Sequence, residues 1–121
     1  MKQLYDPAVV AEVKDRVARL RTDSARQWGR MDPAQAMAHC AAGLETALGD
    51  LRLPRVWFGY LFGRLAKRMA LKDEAPFGRN SPTAREFRIA EARDLAREQA
   101  RVHALIDRFA AAGPAGCTPH P

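Results

Sequence analysis

Apolar residues recur at intervals of three and four in four segments of the chain, which is the spacing of one face of an α-helix. The predicted helices cover residues 7–20, 33–48, 56–71 and 91–112. Alternation with a period of two is almost absent, and alanine and arginine abound, so the pattern gives little support for strands. The sequence therefore predicts an all-α fold in a single domain that spans residues 1–121.

The second predicted helix has the clearest start. Asp32 is a good N-cap, Pro33 suits the first helical position, and Gln35 stands where it closes a capping box. The apolar stripe that follows consists of Met37, Ala41, Leu44 and Leu48. His39 lies roughly opposite this stripe among small and polar residues, which leaves room beside its ring. The alternative is a histidine exposed to solvent on a polar face.

Two connecting segments are predicted to pack against the helices. In residues 25–31, Trp28 and Met31 are expected to tuck beneath the bundle. Residues 73–90 form a long irregular segment, and loops of more than about a dozen residues are usually functional or disordered. The apolar residues that favour a loop laid over the core are Phe77, Phe87 and Ile89.

The net charge of +6 resides in the segment 52–88, which holds nine basic and three acidic residues. The same segment carries six of the nine aromatic residues, so a basic, aromatic surface is expected there. Its longest uncharged run, 56–63, is far shorter than the roughly 20 residues of a membrane-spanning helix. Two cysteines and the lack of a signal-peptide pattern favour a reducing cytoplasm with both thiols free.

The residues alone assemble no complete active site, and they leave enzymatic activity undecided. His39 and Cys40 are neighbours on one helix, where successive side chains point about 100° apart, so they cannot form a catalytic pair. The sequence has neither a glycine-rich phosphate loop nor a Cys-x-x-Cys motif. A zinc or iron site needs three or four convergent ligands. Of the other histidines, His103 is expected to pack its ring at the edge of the apolar stripe of the last helix, and His120 has no inferable geometry.

Several short motifs follow one another along the chain: Trp28-Gly29-x-Met31, Ala38-His39-Cys40, Asn80-Ser81-Pro82-Thr83, Gly113-Pro114 and Cys117-Thr118-x-His120-Pro121. Together they resemble an uncharacterised-domain branch of the DinB-like (DinB/YfiT) superfamily of bacterial helical proteins, over nearly the whole chain. The resemblance implies a four-helix bundle in which three histidines hold a divalent metal, either zinc, nickel or iron. One histidine belongs to the second helix, and His39 matches it. The other two form a His-x-x-x-His pair on the last helix.

Enzymes that this resemblance suggests use the metal to activate a thiol or a water for attack on a small molecule. The implied function of a complete member is therefore that of a metal-binding protein, as a small-molecule or thiol transferase. The His-x-x-x-His pair has no counterpart in this sequence, which offers only His39 of the three expected ligands. We therefore expect this chain to hold no metal.

The same departure implies a C-terminally incomplete domain, with three bundle helices, a basic amphipathic helix and a long loop. Such a domain would leave an apolar groove open, and exposed apolar patches favour association. The expected partner is a second copy of the chain or a helix of another protein. The sequence does not identify a small-molecule ligand.

The alternative function is a non-enzymatic binding module that uses the basic, aromatic segment 52–88. Its aromatic residues would insert at a membrane surface while its cations meet lipid phosphates. The residues concerned are Trp57, Phe58, Phe62, Arg64, Lys67 and Arg68. In the competing interpretation, which the sequence favours over the membrane, the aromatics are bundle core and the cations form a solvated face. Nucleic acid is not an expected partner.

Overall fold

The computed structural model describes residues 2–54, 57–72 and 78–118, and within these ranges it contains helices and no strand. The helices are α1 (Pro7–Arg19), α2 (Pro33–Leu48), α3 (Trp57–Ala70) and α4 (Leu95–Ala112). Two 3-10 turns, Arg85–Phe87 and Pro114–Gly116, precede and follow α4. The all-α prediction is confirmed, and helices occupy each of the four predicted segments.

Aspartate N-caps set where the packed helices begin. The Asp32 carboxylate accepts a hydrogen bond from the Gln35 amide at 2.8 Å, and the Gln35 side chain accepts one from the Asp32 amide at 3.0 Å. The predicted capping box is therefore present. α4 begins at Leu95 rather than at residue 91, because Asp94 adopts an extended backbone and its carboxylate caps the first turn.

The core forms where α4 packs against α2 on one side and α1 on the other. Its buried side chains are Val17, Ala41, Val102, Leu105 and Ile106. α2 buries only alanines, at positions 34, 38, 41 and 42. Alanine side chains let two helix axes approach closely, since the separation depends on the residues at the contact. The larger members of the predicted α2 stripe, Met37, Leu44 and Leu48, are partly buried around this core.

Polar contacts fix the directions of the helices. α2 runs parallel to α4, because Glu45 binds Arg101 at 2.7 Å and Asp50 binds Arg108 at 2.7 Å farther along both helices. α1 runs antiparallel to α4, since Lys14 binds Asp107 near the end of α4. The connection from α2 to α4, residues 49–94, must therefore return along the length of the bundle, and α3 lies within this connection.

One carboxylate is buried in the α2–α4 contact. Glu98 is 4% exposed, and Arg101 pairs with it at 3.2 Å and with Glu45 at 2.7 Å. Arg93 approaches Glu98 at 3.6 Å. Burying a carboxylate is costly unless cations and hydrogen bonds compensate it, and the two arginines supply that compensation.

α3 contributes nothing to this core. None of its side chains is buried, and it makes no extensive contact with another helix of the described ranges. Large apolar side chains that are more than half exposed are found at Trp28 and at eight positions of residues 57–71. They are Trp57, Phe58, Tyr60, Leu61, Phe62, Leu65, Met69 and Leu71. The interpretation that placed the aromatics of this segment in the bundle core is therefore wrong for Trp57, Phe58 and Phe62.

The two connecting segments differ in how they pack. Trp28 was expected beneath the bundle, but its side chain is 53% exposed, and the next residue, Gly29, has a φ of +84°. Met31 is partly buried. Phe87 and Ile89 are partly buried, and the turn that contains Phe87 packs on α2, as predicted for a loop over the core. Phe77 lies outside the described residues.

The residues after α4 close the far end of the bundle. The Thr118 amide donates to the Ala47 carbonyl at 2.7 Å, and its hydroxyl donates to the Thr46 carbonyl at 2.8 Å. Both carbonyls belong to the last turn of α2, where carbonyls lack the usual i+4 amide partner, and the Thr46 carbonyl also accepts from the Gly49 amide at 3.2 Å. Gly49 ends α2 at a φ of +86°, and a Cβ atom there would lie 2.8 Å from the Thr118 methyl carbon.

We expect Gly49→Ala to destabilise the fold by about 1–2 kcal/mol, because alanine is strained at positive φ and would also clash with Thr118. The measurement is the free energy of unfolding from urea titration monitored by circular dichroism. The matched control is Gly43→Ala, since Gly43 lies within α2 and an added methyl group there would meet open space. That control should stabilise by about 0.5–1 kcal/mol, and equal effects of the two substitutions would contradict this account of the α2 terminus.

Candidate functional site

His39 lies on the second face of α2, and the segment before α4 packs against it. Its Nδ1 atom is 2.8 Å from the Phe87 carbonyl oxygen, and the two rings meet edge to face with centroids 5.8 Å apart. A carbonyl only accepts hydrogen bonds, so Nδ1 carries the proton. In the neutral ring, Nε2 then keeps its lone pair, which is the arrangement common among metal-binding histidines.

Gln35 holds the same segment one turn earlier on α2. Its side-chain amide donates to the carbonyls of Ala90 and Glu91, at 3.1 Å each. Residues 84–91 are therefore clasped to the first two turns of α2 by two side chains. The space predicted beside His39 is occupied in part by Phe87 of this segment.

The donors around His39 do not form a metal site within the described residues. Groups of three or more histidine, cysteine, aspartate or glutamate side chains that could hold a metal ion are absent there. His103 instead donates from Nε2 to the Lys14 carbonyl of α1 at 3.0 Å. It therefore lies at the edge of the apolar stripe of α4, as predicted. Cys40 is exposed, and His120 lies outside the described residues.

The second candidate site is α3 itself. Phe58, Leu61, Phe62, Leu65 and Met69 fall within an arc of about 100° on the helix surface. The cations of α3, Arg64, Lys67 and Arg68, lie outside this arc, and the helix contains no acidic residue. Leucines and cations together line an open groove along the helix, formed by Leu61, Leu65, Leu71, Arg64, Lys67 and Arg68. The site is thus apolar on one side and uniformly positive beside it.

The ion pairs of the described residues all lie outside the segment 52–88. The pairs formed by described residues are Lys2–Glu12, Lys14–Asp107, Arg19–Asp15, Arg21–Asp23, Arg93–Glu91, Arg93–Glu98, Arg101–Glu45, Arg101–Glu98 and Arg108–Asp50. Among the residues that the structure describes, the cations of the segment 52–88 pair with no carboxylate. They are therefore available to an anionic partner outside the chain.

Ion pairing shifts the pKa values of two residues that join α4 to α2 and the turn after it. The hydrogen bond from Arg108 lowers the pKa of the Asp50 carboxyl below its ordinary value. The hydrogen bond to Glu45 raises the pKa of Arg101. Sequence reasoning missed these pairs, because their members are separated by 56 and 58 residues and come together only when α2 and α4 pack in parallel.

The motifs that carried the family resemblance supply residues to turns and helix ends in this structure. Gly29, which follows the exposed Trp28, has a φ of +84°. Asn80 adopts a left-handed backbone with a φ of +57° in a second turn. Gly113 ends α4, and Thr118 docks on α2. These roles explain the glycines and Thr118 without invoking chemistry.

Comparison of the chain with protein-family models, with curated proteins and with solved structures gave no match. The DinB-like resemblance therefore remains a prediction. In the part of the chain that the structure describes, every helix is too short or too polar to cross a membrane.

We expect His39→Ala to loosen the clasped segment, because the Phe87 carbonyl loses its donor and the ring contact disappears. The loss should be about 1 kcal/mol of stability, the usual net value of one hydrogen bond. Hydrogen exchange should quicken at the amides of residues 84–91 while the α4 amides keep their protection. Cys40→Ala is the control, since Cys40 is exposed on the same helix. Unchanged exchange at 84–91 in His39→Ala would show that the clasp does not depend on this histidine.

Proposed function

We propose that the protein is a non-catalytic binding module that attaches to an anionic membrane surface through α3. One observation carries the proposal: the apolar face of α3 is exposed, while the cations beside it lack intramolecular carboxylate partners among the described residues. An exposed patch of this kind marks an interaction site in a soluble protein.

The dimensions and composition of α3 suit a helix that lies in the plane of the membrane interface. Its 14 residues extend for about 21 Å, enough to rest on a bilayer and too short to cross one. Phe58, Leu65 and Met69 would enter the acyl boundary, and burial of such side chains is worth about 1.5–3 kcal/mol each when complete. The long stems of Arg64 and Lys67 allow their charges to stay at the phosphate level.

The charge pattern favours a lipid surface over a groove in another protein. Complementary patterns of both signs usually set the register between two proteins. α3 carries cations alone, which matches a uniformly anionic surface and sets no register. Two copies of α3 packed face to face would bring their cations together, so the predicted homo-oligomer would gain no support from this helix.

We expect Lys67→Ser combined with Arg68→Ser to weaken binding to anionic vesicles about 30-fold, since each cation near such a surface is worth about 1 kcal/mol. The measurement is co-sedimentation with vesicles of phosphatidylcholine and phosphatidylserine at 7:3, at two salt concentrations. The matched control is Lys2→Ser combined with Arg16→Ser, which removes the same charge from exposed positions on the N-terminal segment and α1. That control should bind as the wild type does.

A second variant, Phe58→Ser with Phe62→Ser, should lose vesicle binding while its urea midpoint stays unchanged, because neither ring belongs to the core. Equal binding of the wild type to pure phosphatidylcholine vesicles would contradict the anionic requirement. Tight binding to a duplex oligonucleotide, lost steeply with salt, would redirect the function to nucleic acid. A dimer in sedimentation that the Phe58 and Phe62 substitutions dissociate would identify a second copy as the partner instead.

The metal-dependent transferase implied by the DinB-like resemblance is the second candidate function. The protonated Nδ1 of His39, which leaves Nε2 free for a ligand bond, is the observation that favours it. The remaining donors do not fit, because no group of three or more candidate ligand side chains lies together among the described residues, whereas a divalent site needs three or four ligands.

We expect the 121-residue chain to retain no stoichiometric zinc, nickel or iron after purification, measured by plasma mass spectrometry. His39→Ala and His103→Ala are the paired variants. About one metal per chain that is lost in His39→Ala and kept in His103→Ala would restore the metalloprotein function and refute this expectation.

A further inference from the structure

The loop before α2 presents a second exposed aromatic side chain, away from α3 in sequence. Trp28 is 53% exposed, and it lies in a loop in which Arg26 approaches the Gly29 carbonyl at 3.5 Å. A tryptophan combines a large apolar ring with a polar N–H, which is why it is enriched where an apolar phase meets water.

Four exposed arginines accompany Trp28 at this end of the bundle. Arg26 and Arg30 flank it in the loop, and the other two, Arg85 and Arg88, belong to the segment clasped to α2. We call these arginines together with Trp28 the Trp28 face. None of the four takes part in an ion pair with a described residue.

The acids near the Trp28 face are mostly engaged elsewhere. Asp23 pairs with Arg21, and Glu91 pairs with Arg93. Asp32 and Asp94 cap α2 and α4, where the helix N-termini already stabilise their charge. Within the clasped segment, Glu86 is the one carboxylate without an ion-pair partner among the described residues, so the Trp28 face keeps a positive balance.

The two parts of the face lie at the same end of the bundle. The loop that carries Trp28 runs directly into the N-cap of α2. The clasped segment is held to the first two turns of α2 by Gln35 and His39. Side chains of both segments are therefore positioned by one helix, which also packs on α4.

We infer that the Trp28 face is a second contact for the anionic lipid surface, with Trp28 as its apolar anchor and the four arginines as its phosphate ligands. The inference rests on the proposed function of α3, since one exposed tryptophan gives little affinity alone. Two contacts on one chain raise the apparent affinity because the second binds at high effective concentration. The bundle would then bind in one orientation, with the start of α2 toward the lipid.

The chain offers its own reporters, because it contains two tryptophans and each belongs to one of the two surfaces. Trp57→Phe leaves Trp28 as the sole tryptophan, and Trp28→Phe leaves Trp57. Each variant is mixed with 7:3 phosphatidylcholine–phosphatidylserine vesicles that carry bromine on the acyl chains near the headgroup. We expect bromine to quench both tryptophans, and iodide in the buffer to quench Trp28 less in the bound state than in the free state.

Removal of two arginine charges from the Trp28 face provides the second measurement. Arg85→Ser with Arg88→Ser should weaken vesicle binding by tenfold or more, whereas the Lys2 and Arg16 control pair should not. The urea midpoint of this variant should match that of the wild type, because both arginines are exposed.

The outcomes separate the two proposals. The second contact would be overturned if bromine quenched Trp57 while iodide still quenched Trp28 in the bound state, and if the Arg85 and Arg88 variant bound as tightly as the wild type. That result would leave the α3 site intact. Absence of vesicle binding in the wild type would overturn both.

Discussion

The contact between α2 and α4 is the interaction on which the rest of the structure depends. α2 presents only alanines to the buried side, and Ala41 joins Val102 and Ile106 of α4 in the core. Close approach of the two helices brings Glu45 to Arg101 and Asp50 to Arg108, so the charged pairs align the helices that the apolar contact holds together. α1 then covers the other side of α4 and completes the core.

The parallel direction of α2 and α4 has a consequence for α3. The chain must travel back from the end of α2 to the start of α4, and α3 lies within this connection. The core is formed without the apolar face of α3. The connection between α2 and α4 therefore includes a helix, α3, whose apolar face no described helix covers. The binding function is proposed for this face.

Electrostatics follow the same division. Acids of the three packed helices pair with nearby cations or cap helix starts, and the buried Glu98 is compensated by Arg93 and Arg101. The cations of the segment 52–88, which carries the net charge of +6, have no carboxylate partner among the described residues. His39 belongs to the packed part, where its Nδ1 proton serves the clasp on Phe87 rather than a set of metal ligands.

The sequence by itself determined the helices and most of their starts, because Asp6-Pro7 and Asp32-Pro33 are local signals and helical spacing is a local property. It also located the excess charge and the amphipathic character of α3. What only the tertiary structure decided was which apolar faces are covered. Periodicity shows that Phe58 and Phe62 share a face with Leu65, but burial depends on partners distant in the chain. For the same reason the exposure of Trp28, the clasp at His39 and the Glu98 network could be read only from the packed helices.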